Sequence, residues 1–167
     1  MTLRNIKSVQ KTLGLLLTVF SSTMLTPIVV ALIYQETTSL IFVASFLITG
    51  FFGLALWLPA KKADTEIRLH EGFIIVASFW VVLALFGALP FLLMPELGLS
   101  LTNAVFESTS GLTTTGATIL TGLDELPRSL LFYRQQLQWL GGLGIVVLDV
   151  ALLPILGVGG MRLYRVE

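Results

Sequence analysis

The residues of this sequence best suited to chemistry lie in an uncharged stretch near its middle, STSGLTTTGATIL, at positions 108–120. Seven of the eleven residues from 108 to 118 are serine or threonine, and two are glycine. Such a stretch brings many hydroxyl and carbonyl oxygens together on a backbone that glycine makes adaptable. Oxygen-rich extended backbone can replace the hydration shell of K⁺. A Thr-rich loop with no role is the alternative that the spacing alone leaves open.

Most other kinds of site are excluded by composition. The chain has no cysteine, which rules out disulfides and thiolate chemistry, and its one histidine, His70, lies in a charged segment where we expect it to be solvent-exposed. No phosphate-binding loop, nucleophile motif or acidic cluster with metal-ligand spacing is present, so we expect neither an enzyme nor a resident cofactor. The net charge is zero, which argues against a nucleic-acid partner.

The elements that must position the central stretch are those of a membrane protein. Hydrophobic residues make up 55% of the 167-residue chain and charged residues only 12%, against about 25% charged residues in a soluble domain. Residues 12–35, 37–60 and 72–95 are three charge-free runs of 24 residues each. Because a helix needs about 20 apolar residues to cross a bilayer, each run predicts one transmembrane helix.

A fourth apolar run, residues 139–161, is interrupted only by Asp149. We therefore predict an all-α integral membrane protein with four transmembrane helices, over residues 9–34, 40–58, 73–93 and 133–156. Pro27 is expected to kink the first helix near its outer end, Pro59 to end the second, and Pro90 and Pro95 to mark the outer end of the third.

The segment between the third and fourth helices is predicted to enter the membrane without crossing it. Residues 103–110 are predicted to form a helix that Ser100 or Thr102 could cap, and even ten helical residues would rise only about 15 Å. The chain must then return to the side that it left, as a re-entrant pore helix followed by a filter loop. Gly111 and Gly116 would supply backbone freedom at the turn and along the return. The negative end of the short helix dipole favours a cation there.

The distribution of basic residues predicts a cytoplasmic N-terminus. With four crossings, eight of the ten Lys and Arg residues lie on the inner side and two on the outer side, as the positive-inside rule requires. The inner residues are Arg4, Lys7, Lys11, Lys61, Lys62, Arg68, Arg162 and Arg165, and the outer ones are Arg128 and Arg134. We expect Arg162 and Arg165 to anchor the chain at the interface rather than to bind a partner.

Three segments of the chain closely resemble a known family. FESTSGLTTTGATIL (106–120), FYRQQLQWLGGLGIVVL (132–148) and LPILGVGGMRLYRVE (153–167) are similar to the bacterial TrkH/TrkG potassium-uptake proteins of the Trk/Ktr/HKT superfamily. The resemblance is nearly collinear over the whole chain. It implies four units per subunit around one pore, each an outer helix, a pore loop and an inner helix. This chain would supply two leading helices (1–60), a cytoplasmic loop (61–72), the first unit (73–161) and a cytoplasmic end (162–167).

The function that the resemblance implies is K⁺ uptake across the bacterial inner membrane, with this chain forming one quarter of the pore. Thr114, Thr115, Gly116 and Ala117 match the filter strand. The carbonyls of Thr114, Thr115 and Gly116 would face the ion, with K⁺ held at Thr115 and Gly116. Gly116 matches the single filter glycine, and a side chain there is expected to crowd the backbone and favour Na⁺. The alternative is a truncated membrane module that inserts but does not conduct.

The resemblance also implies partners. These are membrane lipid, three further pore units from the same chain or other copies, a second subunit in a homodimer, and a cytosolic nucleotide-binding regulatory ring of the TrkA type. K⁺ enters only as the transported ion.

Residues around the filter have predicted supporting roles. Gly111, Thr113 and Thr118 flank the filter strand. Glu107 and Arg134 lie on the same side of the membrane and either pair to brace the loop or both face outer water.

The last helix carries two further features. Gly141, Gly142 and Gly144 give it a smooth face, either for packing on the pore helix or for a generic helix contact. Asp149 is either a cation-attracting carboxylate in the inner cavity or a tolerated variant with access to water.

Overall fold

The computed structural model describes residues 3–62 and 69–152, and these residues form helices and turns. Within these described residues, seven α-helices follow one another. They are α1 (Leu3–Thr23), α2 (Leu25–Ile33), α3 (Ser39–Ala60), α4 (Leu69–Gly87), α5 (Leu89–Leu93), α6 (Leu101–Leu112) and α7 (Arg128–Leu152). Single 3-10 turns at Pro95–Leu97 and Leu123–Glu125 flank α6 on either side.

In the described part of the chain, three helical stretches are long and apolar enough to cross a membrane, and they confirm the first three predicted spans. They are Ile6–Ile33, which comprises α2 and most of α1, then Ser39–Ala60 and Ile74–Leu93. The fourth predicted span corresponds to α7, which is a 25-residue helix. Its predicted end at residue 156, and the basic residues Arg162 and Arg165, lie outside the described residues.

Pro27 interrupts the first span at Met24, between α1 and α2. Proline has no backbone N–H, so the carbonyl of Thr23, four residues earlier, loses its helical donor. The side-chain amide of Gln136 on α7 donates to this carbonyl at 2.8 Å, and the Thr26 hydroxyl donates to the side-chain oxygen of Gln136 at 2.8 Å. The kink predicted from Pro27 is therefore a site where α7 is hydrogen-bonded to the first span.

Pro59 and Pro90, which were also expected to mark helix ends, behave differently from Pro27. Pro59 was expected to end the second helix, but α3 includes it and ends at Ala60. A proline in the last turn removes one backbone hydrogen bond without ending the helix. The side-chain amide of Gln10 on α1 donates to the nearby carbonyl of Leu56 at 3.0 Å. Pro90 separates α4 from α5, and the Tyr133 hydroxyl donates to the carbonyl of Gly87 at 2.8 Å.

The helices pack around a continuous apolar core to which α1, α3, α4, α5, α6 and α7 contribute. Tyr133 is its largest fully buried side chain and makes ring contacts with Phe42 and Phe91 at centroid distances of 5.6 and 5.5 Å. α1 and α3 approach closely where a Cβ on Gly53 would lie 2.5 Å from the Thr18 hydroxyl. This core holds α6 and the first turns of α7 side by side.

Candidate functional site

The short helix α6 leads directly into the Thr-rich stretch. Its N-terminus is capped by Ser100, whose hydroxyl accepts from the backbone amide of Asn103 at 3.2 Å. Thr102, the other predicted cap, is an ordinary residue within the helix. The helix continues to Leu112, two residues beyond the prediction. Twelve residues rise about 18 Å, which is well short of a bilayer.

The turn that ends α6 is formed by Thr114, not by Gly111 as predicted. Gly111 lies within the helix, whereas Thr114 has φ +57° in the left-handed region. The amide of Thr114 donates to the Gly111 carbonyl at 2.9 Å and the amide of Thr115 donates to the Ser110 carbonyl at 3.0 Å. These bonds form a Schellman motif, in which the left-handed residue is usually glycine. A β-branched residue in this conformation marks local strain.

After this turn the chain runs back along α6. The Ser110 hydroxyl donates to the Ala117 carbonyl at 2.6 Å. One oxygen of Glu107 accepts from the Thr118 hydroxyl and from the Ile119 amide, each at 2.6 Å. Two α6 side chains, Ser110 and Glu107, thus hold the returning strand on the face that it turns toward the helix. Ser110 contacts Ala117, and Glu107, one turn earlier in the helix, contacts Ile119, further along the strand. The strand therefore runs antiparallel to the helix.

Glu107 is itself paired with Arg134 on α7. The Arg134 Nε atom donates to the other Glu107 oxygen at 3.2 Å, and the two residues are 9% and 2% exposed. Of the two predicted alternatives, the geometry matches the bracing pair rather than two side chains facing water. A buried carboxylate requires such partners, since an unpaired charge is costly to bury.

The opposite face of the strand is open. Residues 113–119 are all exposed, and among the described residues no hydrogen bond reaches the carbonyls of Thr114, Thr115 or Gly116. Ala117 also belongs to the predicted filter strand, but its carbonyl accepts from the Ser110 hydroxyl and faces α6. The Thr113 and Thr115 hydroxyls are hydrogen-bonded to each other at 2.8 Å.

Gly116 has φ +74°, a conformation that side-chain-bearing residues rarely adopt. A Cβ built there would have only the Gln138 amide nitrogen near it, at 3.8 Å. The predicted crowding of the backbone therefore does not arise within this chain. The requirement for glycine comes from the backbone conformation instead.

The glycines of α7 contact different partners. A Cβ on Gly141 would overlap the carbonyl of Leu112 at the end of α6, so α7 needs a glycine to approach the turn that ends α6. A Cβ on Gly142 would lie 3.9 Å from the Thr114 methyl carbon, whereas a Cβ on Gly144 would lie 3.5 Å from the Trp80 ring of α4. Of the three glycines in the predicted smooth face, Gly141 packs on the end of α6, Gly142 faces the turn that follows α6, and Gly144 faces α4.

Asp149 lies on α7, and its side chain is outside the described part of the structure, so its role stays a prediction. Three residues that sequence reasoning did not single out contact the site or its supports. Ser110 holds the strand, Gln138 lies beside Gly116, and Glu36 caps α7. Ser110 could have been predicted, because its hydroxyl lies one helical turn before the predicted filter strand. Glu36 could not, because no residue near α7 in the sequence indicates it.

Comparison with known families gives a match over most of the chain. A family model described as "TrkH: Cation transport protein" matches residues 38–167. The Trk system potassium uptake protein TrkH of Vibrio parahaemolyticus is 52% identical over 161 residues, which cover 96% of this chain and 33% of that protein. TrkH of Halomonas elongata is 54% identical over 163 residues, with 98% and 34% coverage. TrkG of Escherichia coli K12 is 41% identical over 167 residues, with 100% and 34% coverage.

A solved structure resembles the fold equally closely. The crystal structure of the potassium transporter TrkH from Vibrio parahaemolyticus superposes with a TM-score of 0.87 at 51% identity, covering 93% of this chain and 33% of that one. The chain therefore spans about a third of the length of the curated relatives that it matches. Those relatives are named as transport proteins rather than enzymes.

Proposed function

Since the chain belongs to the TrkH family of cation transport proteins, we propose that it forms one quarter of a K⁺-selective pore in a bacterial inner membrane. Its N-terminus would be cytoplasmic, and α7 would be the fourth span and the inner helix of the unit. The short helix α6 and the strand after it would form the re-entrant loop. K⁺ is the transported ion, and no resident cofactor is needed.

The observation that carries this proposal is the row of unpaired carbonyls on Thr114, Thr115 and Gly116. A cation that loses its water must find oxygens that are not already engaged. These three carbonyls meet that requirement, and Ser110 and Glu107 hold the strand from its other face. The negative end of α6 lies immediately before them, which adds a favourable field for a cation.

One loop cannot surround an ion, so the proposal requires three more loops. By the family resemblance these come from further units of a longer chain or from other copies. The exposed strand from 113 to 119 is the surface that they would cover. A homodimeric partner and a cytosolic nucleotide-binding ring of the TrkA type belong to the same proposal, and a nucleic-acid partner does not.

The test uses a chimaera in which this chain replaces the matching third of the Vibrio parahaemolyticus TrkH protein. Radioactive Rb⁺ uptake into proteoliposomes is measured with excess K⁺ or equal Na⁺ as competitor. We expect uptake that K⁺ blocks and Na⁺ does not. Gly116→Ser should lower the K⁺-over-Na⁺ flux ratio, because a left-handed serine strains the strand.

Gly122→Ser is the matched control. Gly122 also has a positive φ of +63° and room for a Cβ, but it lies beyond the strand. If both substitutions change the flux ratio equally, or neither does, the filter assignment is wrong. Uptake by this chain without the chimaera would mean that its copies assemble into a pore. An inserted chimaera without selective uptake would favour the non-conducting module.

A further inference from the structure

The N-terminus of α7 is capped by a residue from a distant part of the chain. One oxygen of Glu36 accepts from the Arg128 amide at 2.6 Å, and the other accepts from the Ser129 amide at 3.1 Å and from the Ser129 hydroxyl. The first amides of a helix need such acceptors, and a carboxylate also complements the helix dipole. Pro127, just before α7, has no side-chain acceptor to offer.

Glu36 is held in place by the end of α2. Gln35 has φ +55°, and the amide of Glu36 donates to the Ala31 carbonyl at 2.8 Å, which closes α2 in a Schellman motif. The Thr38 hydroxyl contacts both the Glu36 carboxylate, at 3.3 Å, and the Ser129 hydroxyl, at 2.7 Å. The cap is therefore a fixed group that belongs to the two leading spans.

The next two turns of α7 carry the contacts that hold the filter strand. Arg134 lies five residues after Ser129, a rise of about 8 Å along the helix axis. It contacts Glu107, which holds Thr118 and Ile119. Because a short stretch of α-helix moves as one piece, the height and rotation of α7 at Ser129 also determine where Arg134 lies.

We infer that Glu36 is a positioning residue for the filter, through its cap on α7 and the contact between Arg134 and Glu107. The leading spans, which lie before the pore unit in the chain, would then take part in ion selectivity. Gln136 adds a second contact of the same kind, since it joins α7 to the kink between α1 and α2. The inference rests on the proposed function of residues 114–116 as a filter.

The transport test compares Glu36→Ala and Glu36→Gln in the chimaera with the same two substitutions at Glu96. Glu96 is an exposed acid in the 3-10 turn before α6 and makes a matched control. We expect Glu36→Ala to lower the ratio of Rb⁺ to Na⁺ flux on the order of threefold. Glu36→Gln should lower it less, because its amide oxygen still accepts one bond, and the Glu96 variants should leave it unchanged.

The flux ratio separates positioning from mere stability. A cap that only stabilises the fold lowers the amount of inserted protein and the total flux, but not the ratio. An unchanged ratio in inserted Glu36→Ala protein overturns the inference. If that variant does not insert, the same criterion applies to Glu36→Gln and to Ser129→Ala, which removes only one hydroxyl from the cap.

Amide hydrogen exchange tests positioning without relying on transport. The Ile119 amide donates to Glu107, so a displaced Arg134–Glu107 pair should expose it. We expect Glu36→Ala to speed exchange at Ile119 in the 167-residue chain in micelles, and Glu96→Ala to have no such effect. Faster exchange in Glu36→Ala, with no selective uptake by the unsubstituted chimaera, would mean that positioning holds and the proposed function fails. Unchanged exchange at Ile119 overturns the inference.

Discussion

Two helix ends in this molecule, those of α2 and α6, have the same backbone geometry. Gln35 ends α2 with φ +55°, and Thr114 ends α6 with φ +57°. In both, the residue after the left-handed position donates its amide five residues back along the chain, at 2.8 and 3.0 Å. Glycine is the usual residue for such a turn, and neither turn has it.

The two ends differ in what they present. After Gln35 the chain offers a side chain, the Glu36 carboxylate, to another helix. After Thr114 it offers backbone carbonyls, and the acid that fixes it, Glu107, lies behind the strand on the helix. A non-glycine residue restricts both turns to fewer conformations than glycine would allow. Each left-handed turn thus sets the direction of a polar group, which is the Glu36 carboxylate after Gln35 and the backbone carbonyls after Thr114.

The largest expected effect comes from removing the acid behind the filter. Glu107→Ala leaves Arg134 buried without its partner and frees Thr118 and Ile119. Loss of one member of a buried ion pair costs roughly 3–5 kcal/mol. We expect a fall of that size in the free energy of unfolding of the chain in micelles, measured by chemical denaturation.

Glu125→Ala is the control, because Glu125 is an exposed acid just before the N-terminus of α7. Its substitution should change the free energy of unfolding by less than about 0.5 kcal/mol. The double variant Glu107→Leu with Arg134→Leu should recover part of the loss, since no charge then remains unpaired. A loss in Glu107→Ala no larger than in Glu125→Ala would contradict the bracing role of the pair.

Substituting glycine at each of the two turns separates their roles. Gln35→Gly and Thr114→Gly relieve left-handed strain but make the unfolded chain more flexible, for a net gain of about 0.5–1 kcal/mol each. Their effects on transport should differ. Thr114→Gly should lower the K⁺-over-Na⁺ flux ratio of the chimaera, because the filter strand gains conformations. Gln35→Gly should leave the ratio close to its original value, because the Glu36 cap remains. Equal ratios in the two variants would mean that the strain at Thr114 has no part in selectivity.

The sequence predicts the spans well because their signal is local. The three charge-free runs of 24 residues predicted the three helical stretches that can cross a membrane. The short helix predicted over residues 103–110 corresponds to α6. The contact between Glu107 and Arg134 was one of two alternatives, since sequence distance does not determine whether two side chains meet. The cap on α7 was not predicted, because its acceptor lies 92 residues away. Thr114 was missed because glycine is the expected left-handed residue, and Gly111 lay nearby.

The smallest expected effect concerns pH. Partial burial raises the pKa of Glu36, but hydrogen bonds from Ser129, the Arg128 amide and Thr38 outweigh it, so the pKa lies below its ordinary value of 4.5. A lowered pKa in the folded state means that the carboxylate stabilises the fold fully above about pH 4.5 and loses that contribution as the pH falls through the lowered value. The stability difference between the original chain and Glu36→Gln should therefore be greatest near neutral pH and shrink under acid. Taking this difference cancels the titration of the other acids, which both proteins share. A difference that stays constant from pH 7 to about pH 3 would mean that the cap does not depend on the charge of Glu36.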